Sequence, residues 1–165
     1  MTPDARGNAA SRASDERSPH RQVGSFIAKF DPAIARLLRA ARAKLRKRFP
    51  TAVELVYDNY NALAIGWAPN ERTSEVFVSI AGYARGVSLY FTHGKVLPDP
   101  QGLLEGSGNQ GRFIRLTHVS QLADSAVDAL LRAAVARGKT PLPAHGRGYT
   151  VVKSVSAKQR PRRTG

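Results

Sequence analysis

Five short runs between residues 53 and 116 alternate apolar side chains with small or polar ones, and no other feature constrains the fold as strongly. Period-two alternation is typical of strands that bury one face. The first four runs follow one another after short connections, which favours antiparallel neighbours in a meander. We therefore expect an antiparallel sheet of four to five strands, formed by the runs 53–58, 63–67, 76–81, 86–92 and 113–116.

Two amphipathic segments flank these runs and predict helices over 32–49 and 122–137. The first begins at Asp31 and Pro32, because aspartate caps helix N-termini and proline fits the first helical position. Gly138 is a typical residue just beyond the end of the second. Two helices packed on one face of the sheet give an α+β fold, and a chain of 165 residues suits a single domain.

The composition changes at both ends of this pattern. Residues 1–21 contain no aromatic residue, leucine, isoleucine or valine. Such a segment buries too little apolar surface to offset its ordering entropy, so we expect disorder over 1–22. The folded domain is then 23–138, followed by a basic C-terminal tail over 139–165 that has a possible edge strand at 149–156.

Composition also excludes several kinds of chemistry. The chain has no cysteine, which excludes disulfides, thiolate zinc sites, iron–sulfur clusters and cysteine nucleophiles. No apolar run is long enough for a membrane span, and no secretory signal is visible at the N-terminus. We therefore expect a cytoplasmic protein that does not associate with membranes, while the sequence gives no oligomeric state.

The net charge of +14 is concentrated near the C-terminus. Residues 138–165 carry seven basic and no acidic side chains. Pro161 interrupts the most basic stretch, so we expect its side chains to be extended and hydrated. They predict weak, sequence-independent contact with nucleic acid or an acidic partner, although the tail could equally serve only solubility. The candidate polyanion contacts are Lys158, Arg160, Arg162 and Arg163.

The corner between the first two strand runs is a candidate ligand pocket. Tyrosine and asparagine side chains at such a corner can line a small pocket, although Tyr57 could simply be a core residue with its hydroxyl at the rim. The carboxylates of Glu54 and Asp58 lie on one strand face about 13 Å apart, too far for an acid–base pair on one glycosidic bond. The pocket candidates are Tyr57, Asp58, Tyr60 and Asn61.

A glycine-rich loop over residues 106–111 matches the spelling G-x-G-x-x-G. The dinucleotide fingerprint needs a strand before the glycines and a helix after them, whereas here a strand follows. An anion nest remains possible, with backbone N–H groups and a guanidinium facing one phosphate or carboxylate. The alternative is a flexible loop whose glycines adopt positive φ. The candidate anion-loop residues are Gly106, Gly108 and Arg112.

No pattern in the chain predicts a metal site, a cofactor or a catalytic residue. The two histidines at strand ends, His93 and His118, would lie about 20 Å apart on antiparallel neighbours, and the other two, His20 and His145, fall in predicted coil. The nucleophile-elbow, zinc-protease and phosphate-binding-loop motifs are absent from the sequence. We therefore expect no bound cofactor or metal, and an enzyme is the less favoured class.

Several segments resemble the YdhG-like bacterial family, which is catalogued as a domain of unknown function. The resemblance rests on Leu97–Pro100, Leu103–Gly108 with Arg112, residues 53–65 and the ending 153–163. It implies a small cytosolic bacterial α+β domain with no assigned catalytic residues. Some relatives are described as frataxin-like iron chaperones, a role that depends on an acidic surface ridge. This chain has net charge +14 and no acidic run.

Two functional hypotheses follow from the sequence. The first is a non-enzymatic binding module whose sheet or loop 97–111 holds a small ligand or partner, with the basic tail contacting a polyanion. The second is a small-molecule enzyme that uses the corner from Tyr57 to Asn61. A cluster of Tyr57, Asp58, Lys95 and Arg112 around one cavity would favour the second hypothesis.

Overall fold

The structure, a computed structural model, describes residues 19–165 as one mixed six-stranded sheet with three α-helices. The helices are α1, which is helical over residues 19–27, α2 (Pro32–Arg48) and α3 (Ser125–Ala136). The strands are β1 (Val53–Asp58), β2 (Leu63–Ala68), β3 (Val78–Tyr83), β4 (Gly86–Phe91), β5 (Arg112–Leu116) and β6 (Thr150–Val155).

The strand order is β5-β4-β3-β2-β1-β6. The first five strands are antiparallel neighbours in chain order, while β6 lies parallel to β1. The predicted α+β class is confirmed, but a purely antiparallel sheet of four to five strands is wrong. The chain returns from β5 through α3, and a connection of that length allows β6 to run in the same direction as β1. The possible edge strand at 149–156 corresponds to β6.

The N-terminal boundary also differs from the expectation. Residues 19–22 belong to α1, so disorder over the whole of 1–22 is wrong for its last four residues; residues 1–18 lie outside the described part of the chain. Helix α1 is ordered because it contributes Val23, Phe26 and Ile27 to the core. This makes three helices in the described residues rather than two.

The other elements lie close to their predicted positions. Helix α2 ends one residue before the predicted bound. The predicted second helix is divided, because Asp124 has an extended backbone between a 3-10 turn at Val119–Ala123 and α3. Strand β3 begins at Val78, two residues after the predicted start, because Val76 packs on the opposite sheet face against the cluster that includes Leu55.

All three helices and one face of the sheet enclose the main core. Leu38 of α2, Trp67 of β2 and Phe91 of β4 are among its fully buried side chains. A methyl group at Gly82 would come 2.9 Å from a methyl carbon of Leu38, so this glycine lets α2 lie close to the sheet. Burial of this apolar surface is the main stabilising contribution to the fold.

The opposite face of the sheet is covered over only part of its width. The segment 69–77 folds across β1 and β2, where Val76 packs against a small cluster centred on Leu55. Gly66 permits this approach, because a Cβ there would lie 2.8 Å from a methyl group of Val76. Farther along the sheet, the side chains of Tyr83 and Tyr90 remain 45% and 39% exposed on β3 and β4.

We expect Leu38→Ala to lower the free energy of unfolding by about 2–5 kcal/mol, because it leaves a cavity beneath α2. Arg39→Ala, at the adjacent exposed position, should cost less than about 0.5 kcal/mol. Chemical denaturation of both variants measures the difference, and equal losses would show that the two helix faces are assigned incorrectly.

Candidate functional site

The predicted corner pocket is occupied by the chain's own C-terminal segment. The Asp58 carboxylate is completely buried, and Lys29 Nζ donates to its Oδ2 at 2.7 Å. Arg162 Nη2 donates to Oδ1 at 3.0 Å, and the Arg162 side chain is itself buried. A buried carboxylate needs such partners because an unpaired charge in the interior is strongly destabilising.

Residues 156–164, which we name the C-terminal clasp, hold this corner through further hydrogen bonds. Arg162 also donates to the carbonyl oxygen of Asn59 at 2.6 Å, and Gln159 Nε2 donates to that of Asp58 at 2.9 Å. The clasp reaches the α1–α2 connection as well, where Thr164 Oγ1 donates to Asp31 Oδ2 at 2.8 Å. The basic tail is therefore part of the folded domain.

This arrangement corrects the expectation of a fully hydrated tail. Arg162 is buried and bonded to Asp58, so it cannot act as a polyanion contact. The side chains of Lys158, Arg160 and Arg163 remain exposed at the surface of the clasp. From sequence alone, nothing distinguishes Arg162 from its basic neighbours, because its partner lies 104 residues earlier in the chain.

The four pocket candidates are not brought together. Asp58 points into the core, whereas Tyr57, the preceding residue, faces the other side of the sheet and its hydroxyl bonds to Thr73 Oγ1 at 2.6 Å. Tyr60 and Asn61 are exposed in the turn before β2. The corner therefore provides no common cavity for Tyr57, Asp58, Tyr60 and Asn61.

The wider cluster expected of an enzyme is also absent from the described residues. Asp58 ends β1, while Arg112 begins β5, four strand spacings or about 19 Å away. Lys95 lies in a 3-10 turn at Gly94–Val96 that contacts β5. The geometry gives no support to an enzyme that combines Tyr57, Asp58, Lys95 and Arg112.

Two opposing effects act on the pKa of Asp58. Burial of the carboxylate raises it, and hydrogen bonds, led by the one from Lys29, outweigh burial, so that the pKa is lowered overall. The charged form is thus the one that the folded state prefers, which identifies the Asp58–Arg162 pair as a stabilising feature of the domain.

We expect Arg162→Ala to destabilise the domain by about 3–5 kcal/mol, because Asp58 would remain buried with only Lys29 as its charged partner. Lys158→Ala removes an exposed charge of the same clasp and should cost less than about 0.5 kcal/mol. Thermal and chemical denaturation of both variants measure this, and equal stability of the two would contradict the clasp.

The same pair predicts a pH dependence. A carboxyl group whose pKa is lower in the folded state stabilises the fold above its unfolded pKa, and this contribution disappears as the pH falls through the folded pKa. The stability difference between the wild type and Asp58→Asn should therefore be constant near neutral pH and shrink below about pH 3.9. Urea titrations at several acidic pH values test this, and a difference that grows on acidification would contradict it.

The glycine-rich loop does not form the predicted anion nest. Gly106 has a positive φ of 115°, as the loop geometry requires. However, Arg112 Nη1 donates to the carbonyl oxygens of Gly108 at 2.8 Å and Gly111 at 2.7 Å. Carbonyl oxygens rather than N–H groups face the guanidinium, so Arg112 stabilises the loop itself. The geometry gives no support to anion binding by Gly106, Gly108 and Arg112, which stays a prediction.

The histidines have separate surroundings. His118 accepts a hydrogen bond from the backbone N–H of Ser120 and caps a 3-10 turn. His20 Nδ1 lies 3.1 Å from guanidinium nitrogens of both Arg42 and Arg46. Within residues 19–165, no group of three or more histidine, cysteine, aspartate or glutamate side chains is placed to hold a metal ion.

The strongest candidate site is the uncovered part of the sheet. Strand pairing places Tyr90 directly opposite Phe113, and Ser88 directly opposite Arg115. These side chains and Tyr83 line a hollow of 690 Å³, whose lining also includes Ala33, Ile34 and Leu37 of α2. We name this surface the open face; it comprises Ala81, Tyr83, Ser88, Tyr90, Phe113 and Arg115.

The open face combines aromatic rings with positive charge. The Arg115 guanidinium carbon lies 5.9 Å from the centre of the Phe113 ring, and its nearest carboxylate, Glu105, is 3.9 Å away and exposed. Arg85 is exposed at the tip of the β3–β4 hairpin and lines the same hollow. A second hollow of 560 Å³ lies between Tyr90, Phe113 and the glycine loop 106–111.

The sequence contained part of the signal for this site. Alternation in the fourth run assigns Tyr90 to the polar face, where a large aromatic residue is unusual unless it is covered or used. The pairing of Tyr90 with Phe113 depends on a 20-residue connection between β4 and β5. The aromatic–arginine cluster therefore emerges only once the register is known.

Comparison with protein-family models, curated proteins and solved structures finds no match to this chain. No helix within residues 19–165 is both long enough and apolar enough to cross a lipid bilayer. The function is accordingly argued from the geometry of the open face.

Proposed function

We propose that the protein is a non-enzymatic binding domain that holds single-stranded nucleic acid on its open face. The observation that carries this proposal is the cross-strand pair Tyr90–Phe113, with Tyr83 nearby, on the sheet face opposite the helix-packed core. The glycine loop 106–111 borders this pair, since Gly111 lies against the Tyr90 ring. Every nucleobase has a flat face that can stack on an aromatic ring, so such a surface binds single strands with little sequence preference. Sheets that present aromatic residues to unpaired bases are a recurring solution for this task.

The arginines beside these rings suit the phosphate backbone. Arg115 flanks Phe113, and Arg85 stands at the end of the hollow beyond Tyr83. Small side chains at Ala81 and Ser88 keep the space between the aromatic positions open. Since the chain as a whole carries a net charge of +14, its field attracts a polyanion before contact is made.

The exposed cations of the C-terminal clasp belong to the same proposal in a secondary role. Lys158, Arg160 and Arg163 can neutralise phosphates without reading sequence. The Arg160 guanidinium carbon lies 5.6 Å from the centre of the Tyr60 ring. This contact holds the Arg160 side chain near the surface of the clasp. These residues lie at the β6 end of the sheet, away from the open face.

The sequence-based expectations of family, origin and location remain predictions alongside this proposal. The resemblance supports membership of the YdhG-like family, a bacterial origin and a cytoplasmic location. An iron-chaperone role has no structural support, because residues 19–165 contain no cluster of three metal-ligating side chains. An acidic protein partner could use the same cations, but the exposed tyrosines favour bases over carboxylates.

We expect Tyr90→Ala to weaken binding of a fluorescein-labelled 12-nucleotide thymidine strand by about 5- to 150-fold, the loss of one base-stacking contact. Val155→Ala is the control, because Val155 is 52% exposed and lies on β6, at the opposite edge of the sheet from β5. Fluorescence anisotropy at several salt concentrations measures both, with the equivalent duplex as a competitor. The single strand should bind more tightly than the duplex.

Three results would contradict this proposal. Equal affinity of the wild type and Tyr90→Ala for the single strand would exclude stacking on the open face. A loss confined to a Lys158, Arg160 and Arg163 triple alanine variant would move binding to the clasp and make it purely electrostatic. If Tyr90→Ala lost affinity for an acidic peptide but not for the single strand, the partner would be a protein instead.

A further inference from the structure

A third cavity, open to solvent, lies on the helix side of the sheet and has a volume of about 340 Å³. It is bordered by the C-terminal end of α2, the start of β1, Trp67 of β2 and the residues that lead into β6. Its volume is at the lower end of the range of small-molecule sites. Its position is separate from the open face, because Trp67 contributes to the main core.

The walls of this cavity carry three basic side chains from two different segments. Arg46 and Lys47 come from the last turn of α2, and Arg147 comes from the chain before β6. The one carboxylate in the wall, Glu54, is buried and already bound by Arg42 at 2.6 and 3.1 Å through Oε1 and at 3.0 Å through Oε2. Arg46 Nε also lies 4.0 Å from Glu54 Oε2, and with Lys47 and Arg147 in the same wall the charge facing the cavity is positive.

The buried network behind the wall fixes this arrangement. Thr150 Oγ1 donates to Glu54 at 2.9 Å, so β6 is tied to β1 at this point. His20 Nδ1 lies within 3.1 Å of both Arg42 and Arg46. Burial lowers the pKa of His20, with the two arginines adding to the effect, so the ring is neutral and accepts a hydrogen bond from them.

Trp67 forms part of the wall of this cavity. Its side chain is 1% exposed and lines the same cavity as the basic side chains. An anion bound there should therefore change the surroundings of the indole ring.

We propose that this cavity binds the phosphate group of a small ligand, with Arg46, Lys47 and Arg147 neutralising it. A phosphate suits the site because it offers several acceptor oxygens and up to two negative charges to cations from separate segments. Phe49 and Tyr149, which also line the cavity, provide apolar surface for the rest of an organic phosphate. Free phosphate and a phosphate ester would use the same contacts.

The experiment uses the full-length protein and inorganic phosphate as the probe. The chain contains one tryptophan, so its intrinsic fluorescence reports on Trp67 alone. At constant ionic strength, we expect a saturable change with a Kd on the order of 0.1–1 mM, since so small a ligand makes few contacts. Acetate should bind at least about tenfold more weakly, because it carries less charge and fewer oxygens.

Two variants and one control make the result specific. Arg147→Gln and Lys47→Gln each remove one exposed wall charge and should weaken phosphate binding by about tenfold. Arg39→Gln removes an exposed charge elsewhere on α2 and should leave the Kd unchanged. Circular dichroism confirms that each variant is folded before titration.

A glucose phosphate titrated beside inorganic phosphate separates the two sources. Tighter binding of the ester identifies an organic phosphate, and equal binding identifies the free ion; both support the site. A fluorescence change that is absent, linear, or identical in Arg147→Gln would overturn it. The inference does not rest on the open face, because Tyr90→Ala should bind phosphate normally while failing on the nucleotide strand.

Discussion

Strand β1 carries two carboxylates into the interior of the domain, and the rest of the structure is arranged to neutralise them. Glu54 and Asp58 are 2% and 0% exposed and lie on the core face of the same strand. Helix α2 supplies Arg42 to the first, while Lys29 and the C-terminal Arg162 bind the second. Removing one partner from a buried pair costs far more than an exposed pair contributes. These pairs therefore fix where α2, the α1–α2 connection and the C-terminal clasp must lie on the sheet.

The predictable part of the fold is the part that local pattern determines. Helical spacing and the Asp31-Pro32 start locate α2 within one residue, and alternation locates the antiparallel strands β1 to β5 within about two residues. The prediction of a helix over 122–137 is less exact, because Asp124 adopts an extended backbone that divides this segment. Propensity alone does not reveal such a break.

The unpredictable part depends on partners that are distant in the chain. The parallel pairing of β6 with β1 joins Thr150 to Glu54, and the burial of Arg162 depends on Asp58. The sequence indicates a possible edge strand at 149–156 but not its parallel partner, and it predicts that Arg162 is hydrated because charge runs are usually exposed. The candidate sites have the same limit: the Arg112 guanidinium binds carbonyl oxygens of its own loop, and the aromatic surface depends on the β4–β5 register.

The C-terminal clasp has a consequence for the order in which the chain can acquire its native structure. Synthesis proceeds from the N-terminus, and domains begin to fold as they emerge. Lys29 is synthesised before Asp58 and can bind it as soon as β1 forms, but Arg162 follows Asp58 by 104 residues. Until that arginine leaves the ribosome, the β1 corner has a carboxylate with half of its final partners, and β6 has only just been made. The nascent domain thus completes its interior only after Arg162 has been synthesised, with a long-range closing step of the kind that slows folding.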